Sequence, residues 1–161
     1  MADTGGPVFV FLPGSYQTPA HFEPIVKALQ GREHDAVALA MIGKGDTAST
    51  AAPLESVTTA REKMVELVAR GGRDVVLVGC SYGGMLASMA VKGFEKSLRQ
   101  RQGLAGGIRH VVFIAALLVP ESMMLVDVLP GNQRPVWSTF DKEVSQGWLA
   151  PRGASWRSHP G

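Results

Sequence analysis

Cysteine is nearly absent from this sequence, which contains one thiol, Cys80, among 161 residues. One thiol cannot form an intramolecular disulfide or supply the several thiolates of a structural zinc site. The net charge is also small, because 16 basic residues nearly balance 14 acidic ones and leave a formal net charge of +2. So small a charge does not support nucleic-acid binding or attraction to an acidic membrane surface. We therefore predict no metal site, no cofactor and no nucleic-acid partner.

Long apolar segments are missing as well. The apolar run at residues 8–12 is far shorter than the roughly 20 residues that cross a bilayer. The first residues lack the basic stretch and apolar stretch of a secretory signal. Because a single cysteine also suits a reducing compartment, these absences predict a cytoplasmic protein without a membrane partner.

Four short apolar runs are present, and helical stretches separate them. Continuous apolar runs are typical of strands that helices cover on both faces. Alternation of strands and helices predicts parallel strands. The predicted class is therefore α/β, a three-layer αβα arrangement with a mostly parallel sheet of about four strands. The runs lie at residues 8–12, 36–40, 75–78 and 111–115.

Three helices are predicted between these strands. The first follows Thr18 and becomes regular only at Pro24, because proline lacks the N–H for an intrahelical hydrogen bond. The second covers about residues 54–69. The third begins after Ser81 and continues to the region of Arg99, which we expect to be solvated. Its predicted buried face consists of Met85, Leu86, Met89, Ala90 and Phe94.

The most informative motif is Gly79-Cys80-Ser81-Tyr82-Gly83, which follows the third apolar run and precedes a helix. A serine hydroxyl is a poor nucleophile until it is positioned and a base takes its proton. A tight strand-to-helix turn provides the positioning, and small residues at Gly79 and Gly83 let strand and helix approach closely. Ser81 is therefore the candidate nucleophile.

Two groups of backbone donors would form an oxyanion hole beside this serine. The N–H of Tyr82 begins the following helix and is the expected first donor. The second donor is expected from the loop after Pro13-Gly14, as the N–H of Ser15 or of Tyr16. The alternatives are a structural turn and a phosphate-binding turn. A dinucleotide fingerprint is disfavoured, because Cys80 and Ser81 stand where its second glycine belongs.

With these motifs the chain resembles the α/β-hydrolase family, in the branch of small esterases and hydroxynitrile-lyase-like proteins. The residues from Val76 to Gly84 resemble the family's nucleophile elbow, and Phe9 to Gly14 resemble the strand before its oxyanion loop. Pro13 replaces the histidine that this loop usually carries. The resemblance implies a serine hydrolase acting on a small, apolar ester or thioester without a cofactor.

The resemblance also implies an acid and a histidine later in the chain than the serine. The resemblance places both on loops beyond the fourth strand, where the only histidine is His159 and the candidate acids are Glu121, Asp127, Asp141 and Glu143. We expect a truncated chain, with a partial core at 1–119, the start of a lid plus an irregular tail at 120–161, and part of the triad missing. The alternatives are a non-catalytic binding or inactive product, which could self-associate through its exposed sheet edge, and a lyase on the same fold.

Overall fold

The structure, a computed structural model, describes residues 5–15, 17–40, 52–120 and 123, with the side chains of 52–54 left out. Its four strands pair in parallel in the spatial order β2-β1-β3-β4. This arrangement confirms the predicted parallel sheet. The strands are β1 (Val8–Leu12), β2 (Ala36–Ala38), β3 (Asp74–Cys80) and β4 (Gly107–Ile114).

Helices cover the sheet on both faces, so the predicted three layers are also confirmed. They are a 3-10 helix (Pro19–Phe22), α1 (Glu23–Gln30), α2 (Ala52–Met64), a π-helical turn (Val65–Arg70), α3 (Tyr82–Ala90) and α4 (Lys96–Arg101).

Alternate residues of the strands divide the core into two clusters. On one face, Val10 and Leu77 pack in a cluster with Met64 of α2 and Leu86 of α3. On the other face, Phe11, Val76 and Val78 pack with Phe22 and with partly buried side chains of α1. β1 is apolar throughout and β3 is apolar after Asp74, because both strands bury both of their faces.

The first helix begins as the sequence predicts. The chain makes a 3-10 helix before α1, and Pro24 lies in the first turn of α1, where no intrahelical N–H is needed. His21 belongs to this helix start, because its Nδ1 accepts a hydrogen bond from the Thr18 N–H at 3.0 Å.

The third helix is shorter than predicted. We expected one helix from Ser81 to the region of Arg99, but α3 ends at Ala90 and α4 begins at Lys96. Gly93 explains the break, because its φ of 87° lies in the left-handed region that ends helices. Its N–H donates to the Glu95 carboxylate at 2.7 Å, which fixes this turn.

Two burial predictions in this region are wrong. Met89 of α3 is 48% exposed, although we expected it on the buried face. Arg99 is only 7% exposed, although we expected it to be solvated. Its guanidinium donates to the carbonyl oxygens of Val68, Ala105 and Gly106, at 3.4, 2.8 and 3.2 Å. A planar group with five donors can stay buried where several carbonyl groups converge on it.

The fourth strand begins earlier than the apolar run at 111–115 suggests. It starts at Gly107, and His110, which we expected before the strand, lies within it opposite Val76. Within the described residues β4 has no second neighbouring strand and forms one edge of the sheet, where Glu95 makes an isolated bridge to Ile108. Near its end Val112 and Ile114 are 41% and 45% exposed.

Candidate active site

Ser81 lies between the end of β3 and the start of α3, in an unusual backbone conformation. Its φ and ψ are 52° and −122°, outside the regions that side-chain-bearing residues normally adopt. Strain of this kind persists only where the surrounding structure enforces it, and it concentrates at functional sites. A strained serine in a strand-to-helix turn has the geometry of a nucleophile elbow.

Backbone hydrogen bonds hold this turn from the β4 side. The Ser81 N–H donates to the Ile114 carbonyl at 3.1 Å. The Ser81 carbonyl accepts from the Gly84 N–H at 3.0 Å and from the Leu117 N–H at 2.9 Å. The conformation of Ser81 therefore depends on the loop that follows β4 as well as on its own neighbours.

Glycines make the close approach of strand, helix and loop possible. A Cβ added to Gly79 would lie 2.6 Å from the Gly83 carbonyl oxygen. One added to Gly83 would lie 2.0 Å from the Leu12 carbonyl oxygen. Gly84, the residue after the Gly79–Gly83 motif, is a third such position, because an added Cβ there would lie 2.5 Å from the Cβ of Ala116. All three distances are too short for any other residue.

The loop after β1 meets the elbow directly. A Cβ on Gly14 would lie 2.9 Å from the Cβ of Ser81, so the Gly14 backbone packs against the Ser81 side chain. The Gly14 N–H donates to Oε1 of Gln17 at 2.7 Å. Among the described residues, the Ser15 N–H has no hydrogen-bond partner, while Tyr16 lies outside them. This loop therefore contacts Ser81 through Gly14, the residue before Ser15.

Tyr82 follows the serine as the first residue of α3. The first N–H groups of a helix have no acceptor within the helix itself, and they favour negative charge nearby. The Tyr82 ring is buried, and burial raises the pKa of its hydroxyl to about 12. The phenol is therefore neutral at physiological pH and cannot act there as a base for Ser81.

The structure places three of the four histidines, and none of them hydrogen-bonds Ser81. His21 binds the backbone of Thr18, His34 packs edge-on against Phe9 with ring centroids 5.6 Å apart, and His110 lies in β4. The remaining candidates lie outside the described residues, and they are His159, Glu121, Asp127, Asp141 and Glu143.

Two other kinds of site, a metal centre and a membrane span, are not formed by the described parts of the chain. There, no three His, Cys, Asp or Glu side chains are grouped as metal ligands. Over the same residues, no helix combines the length and apolarity that crossing a membrane requires.

Comparison with known proteins agrees with this geometry. A model of the alpha/beta hydrolase family matches residues 9–160, which is nearly the whole chain. The chain belongs to the alpha/beta hydrolase family. The chain is also 31% identical over 140 residues to "Alpha/beta hydrolase nvfD" of Aspergillus novofumigatus (strain IBT 16806). That match covers 86% of this chain and 54% of the fungal protein.

Two solved structures have the same fold as this chain. An extracellular alpha/beta-hydrolase from a Paenibacillus species, described as sharing structural and functional homology with tobacco salicylic acid binding protein 2, superposes with a TM-score of 0.59 at 16% identity. Tomato methylketone synthase I, solved with 2-tridecanone, gives 0.53 at 21% identity. The matches cover 78% and 71% of this chain, and 47% and 42% of those chains. At these identities the likeness shows the fold alone.

The chain thus spans about half the length of the relatives it matches. One of those relatives is extracellular, so the cytoplasmic location expected from the single cysteine stays a prediction.

Proposed function

We propose that this alpha/beta hydrolase cleaves a small ester or thioester, with Ser81 as its nucleophile. The observation that carries the proposal is the strained backbone of Ser81, with φ of 52°, at a turn against which the loop after β1 packs. A strained, half-buried serine beside a second loop is the arrangement that acyl transfer requires.

In this reaction the Ser81 Oγ attacks the carbonyl carbon of the substrate and gives its proton to a base. The negative charge that develops on the carbonyl oxygen is stabilised by the N–H of Tyr82 and by that of Ser15. Tyr16 is the alternative second donor. Gly14 is not, because Gln17 already accepts its N–H. Collapse of the intermediate releases an alcohol or thiol that takes up the proton, and water then hydrolyses the acyl-enzyme.

The base and its acid partner are proposed to lie outside the described residues. The three histidines within the described residues make other contacts, which supports this proposal. In the same proposal residues 1–119 form the partial core, and residues 120–161 begin a lid and continue as a tail. The hydrolase would work without a cofactor, in the cytoplasm.

An apolar substrate is the proposed class. Tomato methylketone synthase I, a protein of the same fold, was solved with 2-tridecanone, a long-chain ketone. In the chain itself, the residues that follow β4 near the elbow are apolar, from Ala115 to Val119. An acyl chain would find apolar surface there.

Labelling with a fluorophosphonate probe tests the proposal. We expect one adduct on the full chain, lost in Ser81→Ala and kept in Ser88→Ala. Ser88 is a matched control because it lies in α3 but donates its hydroxyl to the Gly84 carbonyl at 3.0 Å. A folded wild-type protein that does not react, or an adduct that survives in Ser81→Ala, would contradict the proposal.

A second candidate function is a non-catalytic chain that self-associates through the edge of β4. The exposed apolar side chains of Val112, Phe113 and Ile114 favour it, because such an edge invites pairing with another strand. Sedimentation at several concentrations tests it, with Val112→Lys expected to weaken any dimer. A monomer that hydrolyses p-nitrophenyl esters through Ser81 would exclude it. A lyase on the same fold would turn over its substrate without hydrolysing those esters.

A further inference from the structure

Gln17 makes two hydrogen bonds to one residue of the loop after β1. Its side-chain Oε1 accepts from the Gly14 N–H at 2.7 Å, and its backbone N–H donates to the Gly14 carbonyl at 3.1 Å. Both backbone polar groups of Gly14 are therefore held by Gln17. Such side-chain-to-backbone bonds close a turn that the backbone alone would hold less firmly.

This turn lies against the elbow. The position of a Cβ on Gly14 is 3.1 Å from Gln17 Oε1 and 2.9 Å from the Cβ of Ser81. The carboxamide oxygen and the serine thus both lie against the same glycine. The Gln17 side chain is half-buried, so water competes only partly for this hydrogen bond.

We infer that Gln17 is a positioning residue for the oxyanion hole. Its carboxamide oxygen occupies the Gly14 N–H and holds the turn so that the next N–H, that of Ser15, is the one presented to the substrate oxygen. This inference rests on the proposed function, because it assigns the device that orients one of its two donors. Without the carboxamide, the Gly14 N–H loses its acceptor and the turn can rotate away from Ser81.

The test compares two glutamines. Gln17→Met keeps the length of the side chain and removes the acceptor oxygen. Gln30→Met is the matched control, since the Gln30 carboxamide also binds backbone, donating to the Ala36 carbonyl at 3.2 Å between α1 and β2. The rate of Ser81 labelling by a fluorophosphonate is resolved into its maximal rate and its half-saturating probe concentration. Hydrogen exchange of the Gly14 amide is followed by NMR.

We expect Gln17→Met to lower the maximal labelling rate by about 10- to 100-fold, less than the roughly 100- to 1,000-fold cost of a missing oxyanion donor, because the Ser15 N–H is displaced and not removed. The half-saturating concentration should change less than about twofold, because the donor acts after binding. Exchange of the Gly14 amide should accelerate in this variant. Gln17→Glu, which keeps an acceptor oxygen, should restore slow exchange, and Gln30→Met should leave both measurements unchanged.

Gln17→Asn, which withdraws the oxygen by one methylene, replaces Gln17→Met if the latter does not fold, and should show the same loss. Wild-type labelling with an unchanged rate in the folded Gln17 variant would overturn the inference and leave the proposed function standing. A wild-type protein that is not labelled at all would overturn the proposed function, and the inference with it.

Discussion

The two neighbouring strands β3 and β4 each contain a run of apolar residues, but their surroundings differ. Val78 of β3 and Val112 of β4 are register partners, yet 4% of the first and 41% of the second is exposed. β3 lies between two strands and beneath helices on both faces, whereas β4 has one neighbouring strand among the described residues. The comparison teaches that an apolar run identifies a strand, while its neighbours determine how much burial stabilises it.

The two strands are nevertheless coupled at the candidate site. β3 leads into the turn that contains Ser81, and the end of β4 supplies the Ile114 carbonyl that binds the Ser81 N–H. The more exposed strand therefore helps to hold the turn at the end of the more buried one.

Gly83→Ala should have the largest effect on stability, because it disturbs the close packing of α3 against β1. Its new methyl group would meet the Leu12 carbonyl oxygen at 2.0 Å, so β1 and α3 would have to separate. We expect the free energy of unfolding to fall by more than about 3 kcal/mol, measured by urea denaturation. Gly31→Ala is the control, because its φ is −67° and its nearest contact is 3.3 Å, and it should cost less than about 1 kcal/mol. A Gly83→Ala protein as stable as the control would contradict the close packing.

Truncating the paired valines measures the difference between the strands directly. Val78→Ala should lower the free energy of unfolding by about 2 kcal/mol, because it removes buried methyl groups and leaves a cavity. Val112→Ala should lower it by less than about 1 kcal/mol, because that side chain is already partly hydrated. Urea denaturation of both variants at low protein concentration provides the test. Equal losses would mean that β4 is covered in solution, and a dependence of the loss on concentration would identify a second copy as the cover.

A smaller effect should appear only at high pH. Burial raises the pKa of Tyr82 to about 12, above the value near 10 expected in the unfolded chain. Above pH 10 the unfolded state loses this proton first, so stability falls as the pH rises from 10 towards 12. The loss should reach about 1.4 kcal/mol at pH 11. Tyr82→Phe should remove that part of the alkaline destabilisation, measured by urea unfolding between pH 8 and 11, and identical profiles would refute the assignment.

The sequence predicted the features that depend on local pattern. Apolar runs and their glycine boundaries located the four strands, and Pro24 located the regular start of α1 because its missing N–H acts within one turn. The position of Ser81 between strand and helix was readable for the same reason. The break after α3 was also signalled, since Gly93 is a typical helix terminator, but the apolar spacing up to Phe94 suggested continuity.

Features that depend on distant contacts were not predictable. Arg99 is buried because carbonyl groups of Val68, Ala105 and Gly106 converge on it, and no spacing in the sequence indicates that convergence. The early start of β4 follows from its pairing with β3, through Asp74 and Gly107. The contact of Gly14 with Ser81 joins residues that are far apart in the chain, so Gln17 carried no signal of its role.

The carbonyl of Ser81, with its hydrogen bond from Leu117, has a consequence for folding kinetics. The strained conformation of the serine requires contacts that reach from Leu12, against Gly83, to Leu117 beyond β4. Contacts between such distant segments form late, after the entropy of closing long loops has been overcome. The serine therefore acquires its conformation only when the sheet is assembled, so a partly folded chain does not display the elbow.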